Sequence, residues 1–194
     1  MANYKVISDI GKTVINMLKD NLVPNLIDNS DDIGICDLKS RKDFVVGLHL
    51  YDIIEKRDTP KGAFVDLRDG RRSNPPTEYK LCYMISISSK QDISNKVYDE
   101  HLILGYILQL FNDNKVLPPK YMVESLRNAN ETINLLIPPL SLEEKGNIWR
   151  VFNEPYELSV FFDLDPVYIE STQIRVPAKK VTTIDIVDHQ KKWG

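Results

Sequence analysis

The chain has two cysteines, three histidines and eight glycines among 194 residues, and each shortage removes a class of function. Cys36 and Cys82 lie in apolar, strand-like runs without Cys-x-x-Cys spacing, so they read as small buried thiols in a reducing compartment rather than as a disulfide or a metal site. His49, His101 and His189 do not cluster in the sequence, and no pair has metal-ligand spacing. Eight glycines leave little material for a phosphate-cradling loop, and neither a nucleophile elbow nor His-Glu-x-x-His occurs. An excess of positive charge is missing too. Net charge is -3, whereas nucleic-acid binding rests on surplus Lys and Arg set against phosphates. No run approaches the roughly 18 apolar residues of a membrane span, and polar residues interrupt MANYKVISDIGKTVINMLKD where a signal peptide needs about 7 to 15 unbroken apolar ones. The expectation is a soluble chain, cytoplasmic when made, with no cofactor, no nucleic-acid partner and no membrane partner.

What is present suffices for a core: 42% of residues are hydrophobic and 27% charged, in a length that fits one domain over residues 1–194. Val6, Ile10, Val14, Met17 and Leu18 recur at helical spacing and predict an amphipathic helix over about 3–22, ended by Pro24. The turn residues at 28–32 lead into a short strand, Ile33 to Leu38, and the β-branched and aromatic run Phe44 to Glu55 reads as another. Residues 56–77 break all periodicity with prolines, glycines and charge, and read as a long exposed loop or splayed hairpin. Tyr79, Leu81, Tyr83, Ile85 and Ile87 then alternate with smaller or polar residues, a strand covered on at least one face.

From about 95 to 112 the chain is apolar almost all round, which predicts a helix buried on every side, with Ser94 as its cap. Pro118 and Pro119 open a helical turn through about Arg127, and 132–137 is a brief strand. Ser141-Leu-Glu-Glu144 has the capping-box pattern and should start a helix carrying Leu142, Ile148, Trp149 and Phe152 to about Asn153. The last forty residues are strand material, and 156–171 with about 174–187 should pair as an antiparallel C-terminal hairpin within 156–188. This order predicts an α/β fold: a mixed sheet flanked by helices on one or both faces.

Few groups could carry chemistry. Glu100-His101 could act as an oriented base, although a histidine near a helix start is more often satisfied locally. Asp163-Leu-Asp165 puts two carboxylates on one face of a strand, a geometry for a cation or for acid-base work, and also for a solvated face or an inter-subunit salt bridge. A small hydrolase or metal-dependent enzyme would need Glu100, His101, Asp163 and Asp165 to converge. In the 56–77 segment Lys56, Arg57, Lys61, Arg68, Arg71 and Arg72 alternate with Asp58, Asp66 and Asp69, as either a solvated loop or a docking surface for carboxylates of a neighbour. The stretch holding Val181, Thr183, Ile184 and Ile186 either completes the domain's own sheet or offers an edge to a partner strand.

Several phrases taken together resemble a known family. They are the N-terminal helix, Leu48 to Glu55, Arg72-Ser-Asn-Pro-Pro76 leading into Tyr79 to Ser88, Glu100-His101-x-x-Leu104-Gly105, and Trp149 through Ser159 to Pro166-Val167. In this order they are similar to the cap, or tail-terminator, proteins of phage-tail-like extracellular contractile injection systems, the virulence-cassette and antifeeding-prophage type, in a domain formerly of unknown function. The resemblance implies a fold like that of phage tail terminators. It implies a structural, non-enzymatic protein that forms a homo-hexameric ring on the far end of the inner tube and sheath and ends assembly there. The implied partners are further copies of the chain, the sheath protein and the inner tube protein. The implied location is the cytoplasm during assembly and then the particle, released or not. On this reading Lys56, Arg57, Arg68, Arg71 and Arg72 serve lateral or tube contacts, Asp163 and Asp165 inter-subunit ion pairs, and Val181, Thr183, Ile184 and Ile186 strand addition by the sheath. Some members carry a further C-terminal region, for which nothing here beyond about residue 190 would stand. A phage tail-completion or neck protein and a plain adaptor are the other assembly readings.

Overall fold

A computed structural model describes residues 4–56, 65–66, 71–129 and 132–175. The N-terminal pattern becomes helix α1, Val6–Leu22, with Val6, Ile10, Val14, Met17 and Leu18 buried. It stops where Val23 turns extended, because the ring of Pro24 disfavours a helical residue before it. Strand β1 is Ile33–Ile35 and β2 is Val46–Lys56. Within the expected loop the chain forms two short strands, β3 at Val65–Asp66 and β4 at Arg72–Ser73. Strand β5, Thr77–Ile87, follows, then helix α2, Ile93–Asp113. The helix starts one residue before Ser94, so that serine lies in the first turn, and the residue at the cap position, Asp92, makes no capping bond with its side chain.

Helix α3 is Glu124–Ala129, β6 is Asn134–Leu136 and α4 is Leu142–Val151. Both arms of the capping box form: the Glu144 N–H donates to Ser141 Oγ at 3.2 Å, and the Ser141 N–H donates to Glu144 Oε2 at 2.7 Å. After α4 the chain turns through Asn153 at φ 57°, a left-handed conformation that asparagine tolerates. Strands β7, Ser159–Ile169, and β8, Ile174–Arg175, complete the order.

The main sheet runs β1-β2-β5-β7-β6, with β1 parallel to β2 and the other pairs antiparallel. It is a mixed sheet with flanking helices, as the sequence predicts. The foreseen pairing of β7 with the stretch after it does not form among the described residues. Strand β7 is hydrogen-bonded on one side to β5 along most of its length and on the other to β6 at Asp163, Leu164 and Asp165, while β8 pairs with β4 in a second sheet, β3-β4-β8. The rest of that stretch, from 176, lies outside the described residues.

Side chains alternate across the sheet, and the two faces meet different partners. Leu48, Leu81, Tyr83, Ile85, Phe162 and Leu164 share one buried cluster with the inner sides of α1 and α2. There Phe162 stacks on Tyr83 with centroids 5.5 Å apart and meets Phe111 of α2 at 4.8 Å. On the other face Met84 and Phe161 pack with Leu38 and with Trp149 of α4. Helix α2 is not buried all round, contrary to its composition: Ile103, Ile107, Leu110 and Phe111 point inward, while Val97, Tyr98, Leu102 and Leu108 are exposed. A single sheet can cover only one side of a helix, and nothing in the described residues covers the other. Leu142, expected to pack with α4, is exposed as well.

Candidate functional site

Three clusters of ionisable groups stand out among the described residues. The first is an ionic row on the face that α4 only partly covers. Register puts Lys56 opposite Glu78 and Cys82 opposite Asp163. Lys56 Nζ lies 2.5 Å from Asp165 Oδ2 and 3.2 Å from Glu78 Oε1, and Lys80 Nζ lies 3.0 Å from Asp163 Oδ2. Hydrogen bonds to Asp165 and to Asp163 raise the ammonium pKa values of Lys56 and Lys80 respectively. Asp163 and Asp165 therefore neutralise lysines of their own sheet. Asp165 Oδ1 is buried with no hydrogen-bond partner among the described residues.

The second cluster is a cleft of about 290 Å³ lined by Ile87, Lys96, Glu100, His101, Leu104, Glu157 and Leu158. Glu100 accepts from the Ser89 backbone N–H at 3.1 Å, and Lys96 stands 3.8 Å from the same oxygen. Its carboxylate thus ties the start of α2 to the end of β5. His101 is exposed. The cleft holds neither Asp163 nor Asp165, so the four residues an enzyme reading needs do not converge. Among the described residues no three His, Cys, Asp or Glu side chains stand together as a metal site. His189 lies outside the described residues.

The third cluster is buried under β1 and β2. His49 Nδ1 donates to the Cys36 carbonyl at 2.8 Å, and Nε2 accepts from Ser86 Oγ at 2.8 Å. Burial lowers the His49 pKa to about 4, so the ring is neutral at pH 7. Burial also raises the thiols, Cys36 to about 11 and Cys82 to about 12, so neither is a thiolate nucleophile at neutral pH. Both thiols are free, as the sequence predicts, but only Cys82 is buried, and Cys36 is partly exposed. Nearby, Arg41 is 4% exposed and bonds Glu154 at 2.9 Å, Glu157 at 2.8 Å and the Leu38 carbonyl at 2.7 Å. Its guanidinium lies 5.4 Å from the Trp149 ring, and Trp149 Nε1 donates to Ser159 Oγ at 3.2 Å. This clamp fixes α4 and the turn after it on the sheet.

Among the described residues, most charged groups of these three clusters are engaged by neighbours within the chain. The family model of the Pvc16 N-terminal domain matches residues 9–183. The chain belongs to that family. Solved structures with the same fold include the PVC sheath/tube terminator of an extracellular contractile injection system in its extended state. That protein is 20% identical, with a TM-score of 0.64 over 99% of this chain and 66% of its own. Another is the anti-feeding prophage cap, a tube-terminating cap, 16% identical, with a TM-score of 0.60 over 93% of this chain and 61% of that one. The chain thus spans just under two thirds of the length of both. Among curated proteins none matches it.

Within this Pvc16 N-terminal domain the residues singled out from the sequence fall in different places. Lys56, Asp163 and Asp165 meet in the ionic row. Arg71 and Arg72 are exposed at the small sheet. Arg57, Arg68, Val181, Thr183, Ile184 and Ile186 lie outside the described residues. Gly105 of the Glu100-His101-x-x-Leu104-Gly105 phrase is exposed, and a Cβ there would touch nothing within 4 Å. Sequence reasoning missed Arg41, whose only signal was a lone arginine between two strand-like runs. It missed the bare face of α2 because composition cannot tell which side of an all-round apolar helix is covered.

Proposed function

We propose that this chain is the terminating cap subunit of a phage-tail-like contractile injection particle. It forms a ring, a homo-hexamer by the resemblance, on the distal end of the inner tube and contractile sheath, and it halts their growth without chemistry of its own. The observation that carries the reading is the match of the Pvc16 N-terminal domain to residues 9–183, supported by the shared fold with one sheath/tube terminator and one tube-terminating cap. A ring subunit needs faces for the tube, the sheath and two neighbours, and repeated heterologous contacts close such a ring. Ion clusters engaged mostly within the chain suit a body whose outer surfaces, not an inner site, do the work.

On this reading residues 1–194 act as one terminator-type domain that partners itself, the sheath protein and the tube protein, with no part for nucleic acid, membrane or enzyme turnover. It is made in the cytoplasm and stays with the particle. The segment holding Arg57, Arg68, Arg71 and Arg72 serves lateral or tube contacts, and Val181, Thr183, Ile184 and Ile186 meet the sheath by strand addition. Particles purified with an epitope on this chain and imaged with gold-labelled antibody test the proposal. Gold at one tip, opposite the baseplate, is expected; gold along the shaft or at the baseplate contradicts it.

A further inference from the structure

Strand β1 covers only the start of β2. Its residues pair with Val46, Gly47 and Leu48, whereas β2 runs on to Lys56. Along 51–56 β5 lies on one side of β2, and no described strand lies on the other. Backbone groups alternate between the two sides of a strand. The Leu48 carbonyl faces outward, where it accepts from the Cys36 N–H at 3.1 Å, so Gly47 and His49 turn inward to Ser86 and Met84. Every second residue of β5 from there, Cys82, Lys80 and Glu78, faces β2 and is met by Asp52, Ile54 and Lys56, across the irregularity after Leu50. Ile53 and Glu55 therefore turn their N–H and carbonyl groups away from β5. The Ile53 N–H meets the Asp52 carboxylate at 2.8 Å and no strand. Ile53 and Ile54, on opposite faces, are 43% and 40% exposed. An apolar, unpaired edge of this kind, about 20 Å long, is a template for one more strand.

The path of the chain points to what covers this edge. Strand β7 leaves the main sheet at Ile169, the end that also holds Lys56 and Glu78, and β8 ends at Arg175, opposite Arg72. Residues 176–194 follow and lie outside the described residues. Within them Val181-Thr-Thr-Ile-Asp-Ile-Val187 is β-branched at every position but one, the composition of a strand. From β7 across β5 and β2 to the outer side of β2 is three strand spacings, about 14 Å, and 176–180 spans up to about 17 Å when extended. A segment entering beside Lys56 runs antiparallel to β2, which needs no crossover helix, and its length carries it just short of β1. A tethered segment also pairs without the association cost that a separate chain meets. We infer that residues 181–187 of this chain dock on the 51–56 edge of its own β2 as one more strand of the main sheet. This docking is a property of the chain alone and stands without the cap reading. Where that reading also holds, the outer side of the added strand is the edge that a sheath strand would extend.

Residue-resolved amide hydrogen exchange on the full chain tests this, with Thr183→Pro/Ile184→Pro as the variant that removes one N–H from each side of the added strand. In wild type the Ile53 and Glu55 amides exchange as slowly as that of Ile54, whose N–H faces β5. In the variant Ile53 and Glu55 exchange at least about tenfold faster, while Ile54 stays slow and reports an intact sheet. Glu55→Pro approaches from the other partner and serves if the double variant does not fold. It removes an outward N–H of β2, a change that an edge strand tolerates, and it speeds exchange across 181–187 while the β5 amides stay slow. Ile53 and Glu55 amides that are fast in wild type, or equally slow in wild type and the double variant, would overturn the docking. So would slow exchange that comes with a doubled mass in light scattering and is lost with it in Thr183→Pro/Ile184→Pro, because the segment would then lie on the edge of a second copy.

Discussion

The two faces of the five-stranded sheet are built on opposite plans. The face under α1 and α2 is continuous hydrocarbon, with Phe162 between Tyr83 and Phe111. The face under α4 is divided: near Met84 and Phe161 it is apolar and roofed by Trp149, and further along it becomes the row Lys56, Glu78, Lys80, Asp163 and Asp165. The first face supplies stability, since each fully buried large side chain contributes about 1.5–3 kcal/mol. The second supplies position, because ion pairs add little net stability yet penalise misplacement. A cap subunit of the kind proposed above would gain from both.

Breaking the apolar face should cost most. Phe162→Ala removes the ring shared by sheet and helix and should lower stability by about 4 kcal/mol, measured by urea unfolding. The polar network on the other face should show itself through pH. The His49 pKa falls from 6.5 to about 4 on folding, so below pH 6.5 the unfolded chain binds more protons and stability falls as pH falls. The loss begins near 6.5 and is complete near 4, and amounts to about 3 kcal/mol at 1.36 kcal/mol per unit. His49→Gln should remove that slope from the pH profile of the unfolding midpoint, and an unchanged slope would show that His49 is not buried neutral.

Arg41→Met removes the clamp under α4. It leaves Glu154 and Glu157 without their cation, although both carboxylates still reach water at 23% and 34% exposure. The expected loss is about 2 kcal/mol, with a Trp149 fluorescence shift that Phe162→Ala does not share. Glu144→Ala breaks one arm of the capping box and should cost about 1 kcal/mol, read as the smallest change in the same unfolding series. If Arg41→Met proved as costly as Phe162→Ala, the division between a stabilising and a positioning face would fail.

Much of this fold was legible in the sequence because its signals are local. The α1 periodicity, the alternation of β5 and the Ser141–Glu144 box each follow from one stretch of chain and a repeat of 3.6 or 2. What was not legible depends on partners distant in sequence. Whether 174–175 pairs with β7 or with β4 depends on where β4, a segment far earlier in the chain, comes to lie, and no local pattern states that. The bare side of α2 depends on which surface the sheet reaches. Asp163 and Asp165 were visible as a pair on one strand face, but Lys56 and Lys80, which engage them, come from two other strands.

The length distribution of injection particles assembled with and without this subunit tests the central claim most directly, measured on electron micrographs of otherwise identical preparations. A terminator predicts narrow lengths when it is present, and overlong or ragged, open-ended tubes and sheaths when it is absent. The same narrow distribution in both preparations would contradict the account.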